Sequence, residues 1–246
     1  RNLVDSENIL SMINKKGYRL VDIEEAKIAI VNTCCFIKEA KEESIEAILD
    51  LIDLKRRGHI KKIIAYGCLV QRYAPQLVSC LKEVDAFVGR ISLDHTRRDI
   101  YLTPRHYAYI KICEGCINNC SFCIIPKIKG RFSSRTPESI IQEAKNLEER
   151  GAKEINIIGQ DITLYGQDLS SQINLTRFLK ELLKSKKDIR WIRLLYLYPS
   201  YITDDLLDLI NDEPRICKYI DLPLQHINNR ILRLMHRNTT KGDILN

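Results

Sequence analysis

The sequence predicts an α/β protein of two domains, each built on parallel strands. Short β-branched runs alternate with stretches whose apolar residues recur at helical spacing, and turn residues separate them. Cysteines and Gly-polar pairs fall just beyond the predicted strands, the edge where open α/β sheets and βα barrels keep their chemistry. The third observation is size: 246 residues with 45% hydrophobic content suffice for one large or two modest cores.

In the first domain, Asp5 or Ser6 caps a helix running to about Lys16, stopped by Gly17. A short extended piece, Tyr18 to Val21, precedes a β-branched strand from Lys27 to Thr33. Ile45, Ile48, Leu49 and Ile52 mark a helix between Ile37 and Arg57, and Lys62 to Tyr66 is the next strand. Strand, helix, strand implies a right-handed parallel crossover. Residues 1–98 form this domain, and Ile91 to His106, with Arg97, Arg98 and Pro104, forms the linker.

The second domain, 99–246, repeats a βα unit. Tyr107 to Ile112 is a strand leading into a cysteine loop, and Thr136-Pro137 opens a helix that ends at Gly151. Glu154 to Ile158 is a strand, Leu175 to Leu183 a helix, and Trp191 to Tyr198 a strand closed by Pro199. Thr203 caps Asp204 to Ile210; Tyr219 to Leu222 is a strand; Asn228 caps a helix through about His236. Four such units describe a barrel-type layout with functional residues after the strands.

The run Cys116-Ile-Asn-Asn-Cys120-Ser-Phe-Cys123 carries the chemistry. Thiolates favour iron–sulfur assemblies and zinc, and a cubane cluster takes one cysteine per iron, so three ligands leave one coordination site open. Structural zinc usually pairs two C-x2-C motifs into a closed tetrahedron, which this C-x3-C-x2-C loop does not offer, although zinc remains the alternative. Nine cysteines at irregular positions, with no secretory signal, fit a reducing cytoplasm rather than a disulfide scaffold. Cys34 and Cys68 each follow a strand and face one crevice; taken alone they also read as two buried structural cysteines. Cys35 is a neighbouring thiol, Cys80 core, Cys113 strand-end packing and Cys217 structural. His226 faces either substrate or a local hydrogen bond.

C-x3-C-x-aromatic-C, with Phe122 at the aromatic position, resembles the signature of the radical S-adenosylmethionine (SAM) superfamily. Val31-Asn-Thr-Cys34, Tyr66-Gly-Cys68-Leu, Glu114-Gly-Cys116 and Ile158-Gly-Gln-Asp161 stand in the order found in its methylthiotransferases. The resemblance implies an N-terminal parallel-sheet methylthiotransferase domain followed by an incomplete radical SAM partial (βα) barrel. It implies a [4Fe-4S] cluster on Cys116, Cys120 and Cys123, with SAM on the fourth iron. SAM contacts fall to the backbone of Phe122 and to Gly159, Gln160 and Asp161. An auxiliary [4Fe-4S] cluster would use Cys34, Cys68 and a third cysteine that falls before Arg1, so that cluster lacks a ligand in this chain. The expectation is a fragment cut at both ends, without the last two barrel units or the RNA- or substrate-docking domain.

Ile158-Gly-Gln-Asp-Ile-Thr-Leu-Tyr165-Gly, Leu195-Tyr-Leu-Tyr-Pro199 and Leu222-Pro-Leu-Gln-His226 look like the branch that methylthiolates the β-carbon of an aspartate in a small-subunit ribosomal protein. One SAM would supply the methyl group and another the radical, with flavodoxin or ferredoxin as electron donor. No side-chain general acid or base is implied. A tRNA isopentenyladenosine methylthiotransferase, or a non-catalytic metal-binding module on RNA or the ribosome, stays open. Net charge +7 is compatible with an RNA contact, but 39 basic and 32 acidic residues are interspersed, as on any solvated surface. No apolar run approaches the ~20 residues of a membrane span, so a cytoplasmic protein with no membrane partner is expected.

Overall fold

The computed structural model describes residues 2–90, 98–169, 172–185 and 188–245. They fall into two compact units, one of residues 2–94 with Lys127–Lys129, the other of residues 95–126 and 130–246.

The first unit opens with helix α1 (Asn2–Lys15), then strand β1 (Ile28–Thr33), α2 (Lys38–Arg56), β2 (Lys62–Gly67), α3 (Cys68–Cys80) and β3 (Ala86–Val88). The strands form one parallel sheet in the order β1-β2-β3. Ile48 and Ile52 of α2 bury with Ile63 and Ala65 of β2, four residues apart on the helix and two apart on the strand, as the two periods require. Pro75 kinks α3, and Tyr73 inside it leaves helical geometry at φ −127°. The extended piece expected at Tyr18–Val21 is exposed and joins no strand, because no neighbour offers it a ladder. The three-residue β3 is too short to show any period. Cys80, expected in the core, is exposed as the last residue of α3.

In the second unit β4 (Tyr107–Lys111) leads to a two-stranded antiparallel hairpin of β5 (Cys113–Glu114) and β6 (Ser133–Ser134); between them in sequence lies α4 (Ile125–Lys129), whose last three residues count with the first unit. Then come α5 (Pro137–Glu149), β7 (Glu154–Ile158), α6 (Leu175–Ser185), β8 (Trp191–Leu194), α7 (Asp204–Asp212), α8 (Asn229–Leu234) and α9 (Lys241–Leu245). The parallel ladder is β4-β7-β8. Thr136 caps α5 by accepting from Ser139 N, and Thr203 caps α7 by accepting from Leu206 N. Ile140, Ala144 and Leu147 of α5 and Phe178, Leu179 and Leu182 of α6 close over Ile155 and Ile157 of β7. Each such Ile, Leu or Phe side chain contributes about 2 kcal/mol by leaving water.

Two expected strands come out differently. The strand from Trp191 stops at Leu194 because Tyr196 takes φ +69°, a left-handed conformation that ends pleating. Tyr219–Leu222 is not a strand; that part of the chain joins β8 through a single parallel bridge, Ile192 to Ile216. Asp221 instead holds the bend, its Oδ2 accepting from Tyr196 N at 3.1 Å and its carbonyl from Leu197 N at 3.1 Å. In the linker, residues 91–97 lie outside the described ones. Arg98, within the predicted linker, is buried: its side chain lies against Glu143, with Nη2 2.8 Å from Oε1.

Candidate functional site

In the first unit the β1–β2 register sets Thr33 beside Gly67, so Cys34 and Cys68 follow neighbouring strand ends at the same level. Thr33 Oγ1 donates to Tyr66 O at 2.7 Å and locks that level. Ser44 of α2 brackets Cys34: its Oγ accepts from Cys34 N at 2.8 Å and lies 3.0 Å from Cys34 O. Cys68 begins α3, where the unpaired N–H groups of the first turn favour negative charge. Gly67 makes this junction: its φ is +110°, and a Cβ there would stand 2.7 Å from Thr33 O. Cys35 is buried, and its thiol donates to Cys68 O at 3.2 Å. Burial, then the nearby Cys68 thiol, raise the Cys35 thiol above its ordinary value, with Arg72 opposing.

In the second unit Cys116, Cys120 and Cys123 stand in the loop after β5. The loop is held from three sides. Asn118 N and Nδ2 both point to Cys116 Sγ, at 3.4 and 3.5 Å, and Nδ2 also donates to Asp161 Oδ2 at 2.9 Å. Tyr201 OH donates to Asn118 Oδ1 at 3.3 Å. Ser121 N donates to Met235 O at 3.0 Å and Ser121 Oγ to Leu234 O at 3.2 Å, tying the loop to the end of α8. Arg237 Nη1 reaches Cys120 Sγ at 3.9 Å.

The stretch after β7 serves this loop. Gly159 packs so closely under Cys113 that a Cβ would lie 2.5 Å from its Sγ. Gln160 Nε2 donates to Glu114 Oε1 at 3.0 Å. Asp161, expected to meet SAM, is 2% exposed and spends its carboxylate on Asn118 and Thr163, whose N donates at 3.1 Å and whose hydroxyl also bonds. Burial pushes that carboxyl up to about 6 against these donors. Phe122 is exposed. Burial raises the Cys113 thiol strongly, which keeps it protonated as a packing residue; its Sγ lies 3.5 Å from Asp161 O. His226 is exposed, with Nδ1 accepting from Asn228 N at 2.9 Å, so it bonds locally. Cys217 is half-buried. Sequence reading missed Asn118, Tyr201, Arg237 and Ser44; the loop Asn118, between two motif cysteines, was the one signal within reach.

Three thiols in one loop, approached by amide donors and a buried guanidinium, suit sulfur that carries negative charge. No three Cys, His, Asp or Glu side chains among the described residues converge on a point that a single ion would fill. A cubane spreads its thiolates over separate corners and asks for no such point. Three soft thiolate donors in one loop are a donor set that fits such a cluster.

Residues 110–246 match the radical SAM superfamily. The chain belongs to that superfamily. Membership brings a [4Fe-4S] cluster and SAM as the chemistry of the family. Residues 1–89 match the family described as Uncharacterized protein family UPF0004. Among curated relatives, the "Ribosomal protein uS12 methylthiotransferase RimO" of Clostridioides difficile (strain 630) is 44% identical, covering all of this chain and 61% of its own length. That of Pelobacter propionicus is 44% identical over 99% of this chain and 60% of its own. The chain thus spans about three-fifths of these relatives. In fold it is similar to the radical SAM methyltransferase TsrM of Kitasatospora setae in two solved structures. The TM-scores are 0.63 and 0.62 at 14% and 15% identity, over 98% and 96% of this chain and 57% and 55% of the other.

Proposed function

We propose that this chain is the N-terminal and core portion of a methylthiotransferase that modifies an aspartate of ribosomal protein uS12 at its β-carbon. The observation that carries the reading is 44% identity with RimO proteins along the whole chain, with the superfamily cysteines on a braced loop. Residues 1–98 would hold the auxiliary cluster through Cys34 and Cys68, and 99–246 would be the radical SAM core. Cys116, Cys120 and Cys123 would hold the cluster, with the backbone of Phe122 and with Gly159, Gln160 and Asp161 on the SAM side. A bound cluster would supply the electron for reductive cleavage of one SAM, and a second SAM would supply the methyl group.

The chain's own residues orient that chemistry. Asn118, fixed by Asp161 and Tyr201, sets the Cys116 sulfur in place. Ser121, tied to the end of α8, stops the loop from opening. Gly159 lets the strand end lie against Cys113, so Gln160 reaches Glu114 beside the first cysteine. Gln160-Asp161 and the Tyr-Leu-Tyr-Pro199 turn favour a protein over a tRNA substrate. A flavodoxin- or ferredoxin-type reductant, an RNA contact and a cytoplasmic location complete the reading. No helix among the described residues is long and apolar enough to cross a membrane.

The test is anaerobic reconstitution followed by incubation with SAM, dithionite and uS12. Mass spectrometry should find a methylthio group on one aspartate of uS12, together with deoxyadenosine. Methylthio product on tRNA instead, or iron uptake with no SAM cleavage, would move the function to the tRNA branch or to a binding module.

A further inference from the structure

Arg237 is a buried cation that the reaction above leaves without a task. Its side chain is 8% exposed. Nη2 donates to Pro223 O at 2.7 Å, and the guanidinium lies over the Tyr198 ring, with Cζ 4.0 Å from the centroid. Nη1 points to Cys120 Sγ at 3.9 Å. An arginine stays charged when buried, so it needs negative charge close by. Asp161 feels its field, but both carboxylate oxygens are taken by Asn118 and Thr163. The ring and the carbonyl aim the fork, and Nη1 reaches the sulfur of Cys120, which carries negative charge when it ligates a cluster.

We propose that Arg237 is a positioning and charge-compensating residue for Cys120, and that its guanidinium makes the cluster easier to reduce. The inference rests on the radical SAM reading of this loop. Adding one electron from a low-potential reductant makes the cluster and its thiolates more negative by one unit. A cation and an N–H donor at a ligand sulfur stabilise that reduced form more than the oxidised one. Arg237 thus acts through Cys120, leaving the SAM-facing iron to other groups.

The experiment uses the reconstituted full chain, poised at a series of potentials without SAM, with the spin-resonance signal of the reduced cluster as readout. Arg237→Gln should shift the equilibrium at a given potential at least tenfold toward the oxidised form, about 59 mV for a one-electron couple. Arg237→Lys, which keeps the charge and loses the fork, should recover part of it. If Arg237→Gln fails to take up iron, Tyr198→Leu answers instead: it removes the ring beneath the guanidinium, and a smaller shift of the same sign supports the inference, whereas an unmoved midpoint refutes it. A normal midpoint with weakened SAM binding in Arg237→Gln would make Arg237 a SAM anchor and overturn the inference. A loss of thermal stability alone, midpoint unchanged, would reduce it to a packing role. Failure of the wild-type chain to bind iron would sink the underlying reading, a result separate from any effect of the variants.

Discussion

The two sets of cysteines are held by different means. In the first unit, Cys34 and Cys68 are placed by backbone: a six-residue parallel register fixes the level of two strand ends, and one glycine turns the chain into a helix. In the second, Cys116, Cys120 and Cys123 sit on a loop placed by side chains that come from residues 118, 161, 201 and 237. A ladder is tolerant, because many equivalent bonds share the work. A side-chain network is less so, since its members share a few specific bonds and a buried polar group left without its partner costs about 1–3 kcal/mol. The first site should therefore respond mainly to backbone changes and the second to single polar substitutions.

The largest effect expected is from Cys116→Ala/Cys120→Ala/Cys123→Ala, which should remove about four irons per chain and all SAM cleavage; iron analysis beside deoxyadenosine chromatography reads both. Next is Glu143→Gln, which leaves the buried Arg98 and the neighbouring Arg135 without their shared anion. It should cost about 3–5 kcal/mol, measured by denaturant unfolding followed through Trp191, the chain's one tryptophan. Gly67→Ala should cost about 1–3 kcal/mol from its positive φ, and more from the clash with Thr33 O. Its hydrogen-exchange loss should centre on β1 and β2, and an unchanged exchange pattern would mean that the junction tolerates a side chain. Smallest is Cys35→Ala, which loses one thiol bond to Cys68 O and should cost about 1 kcal/mol. Iron content should stay the same, and a loss of iron would make Cys35 a ligand.

The same contrast explains what could be read from the sequence. The β1 and β2 runs, the α5 and α7 caps and the cysteine positions follow from local patterns: β-branched runs, Thr three residues ahead of a free N–H, thiols after strands. The loop supports did not, because Asn118 meets Asp161 and Tyr201, and Cys120 meets Arg237, only in three dimensions, across up to 117 positions. Asp161 shows the limit of local reading: the Gly-polar-Asp turn after a strand gives no sign that its carboxylate also braces the cysteine loop through Asn118 and bonds Thr163. The Tyr219–Leu222 run shows another: β-branched and aromatic residues alone do not make a strand where a carboxylate, Asp221, already satisfies the neighbouring amide.

Arg98 Nη2 donates to Tyr109 O at 2.7 Å, and Arg135 Nη1 donates to Lys111 O at 2.9 Å. Both carbonyls lie on the side of β4 turned away from β7, so two guanidinium groups occupy acceptors that a further strand would need. The ladder is thereby given a direction: it can lengthen past β8 and cannot be extended past β4, which also denies a foreign chain a place to zip on.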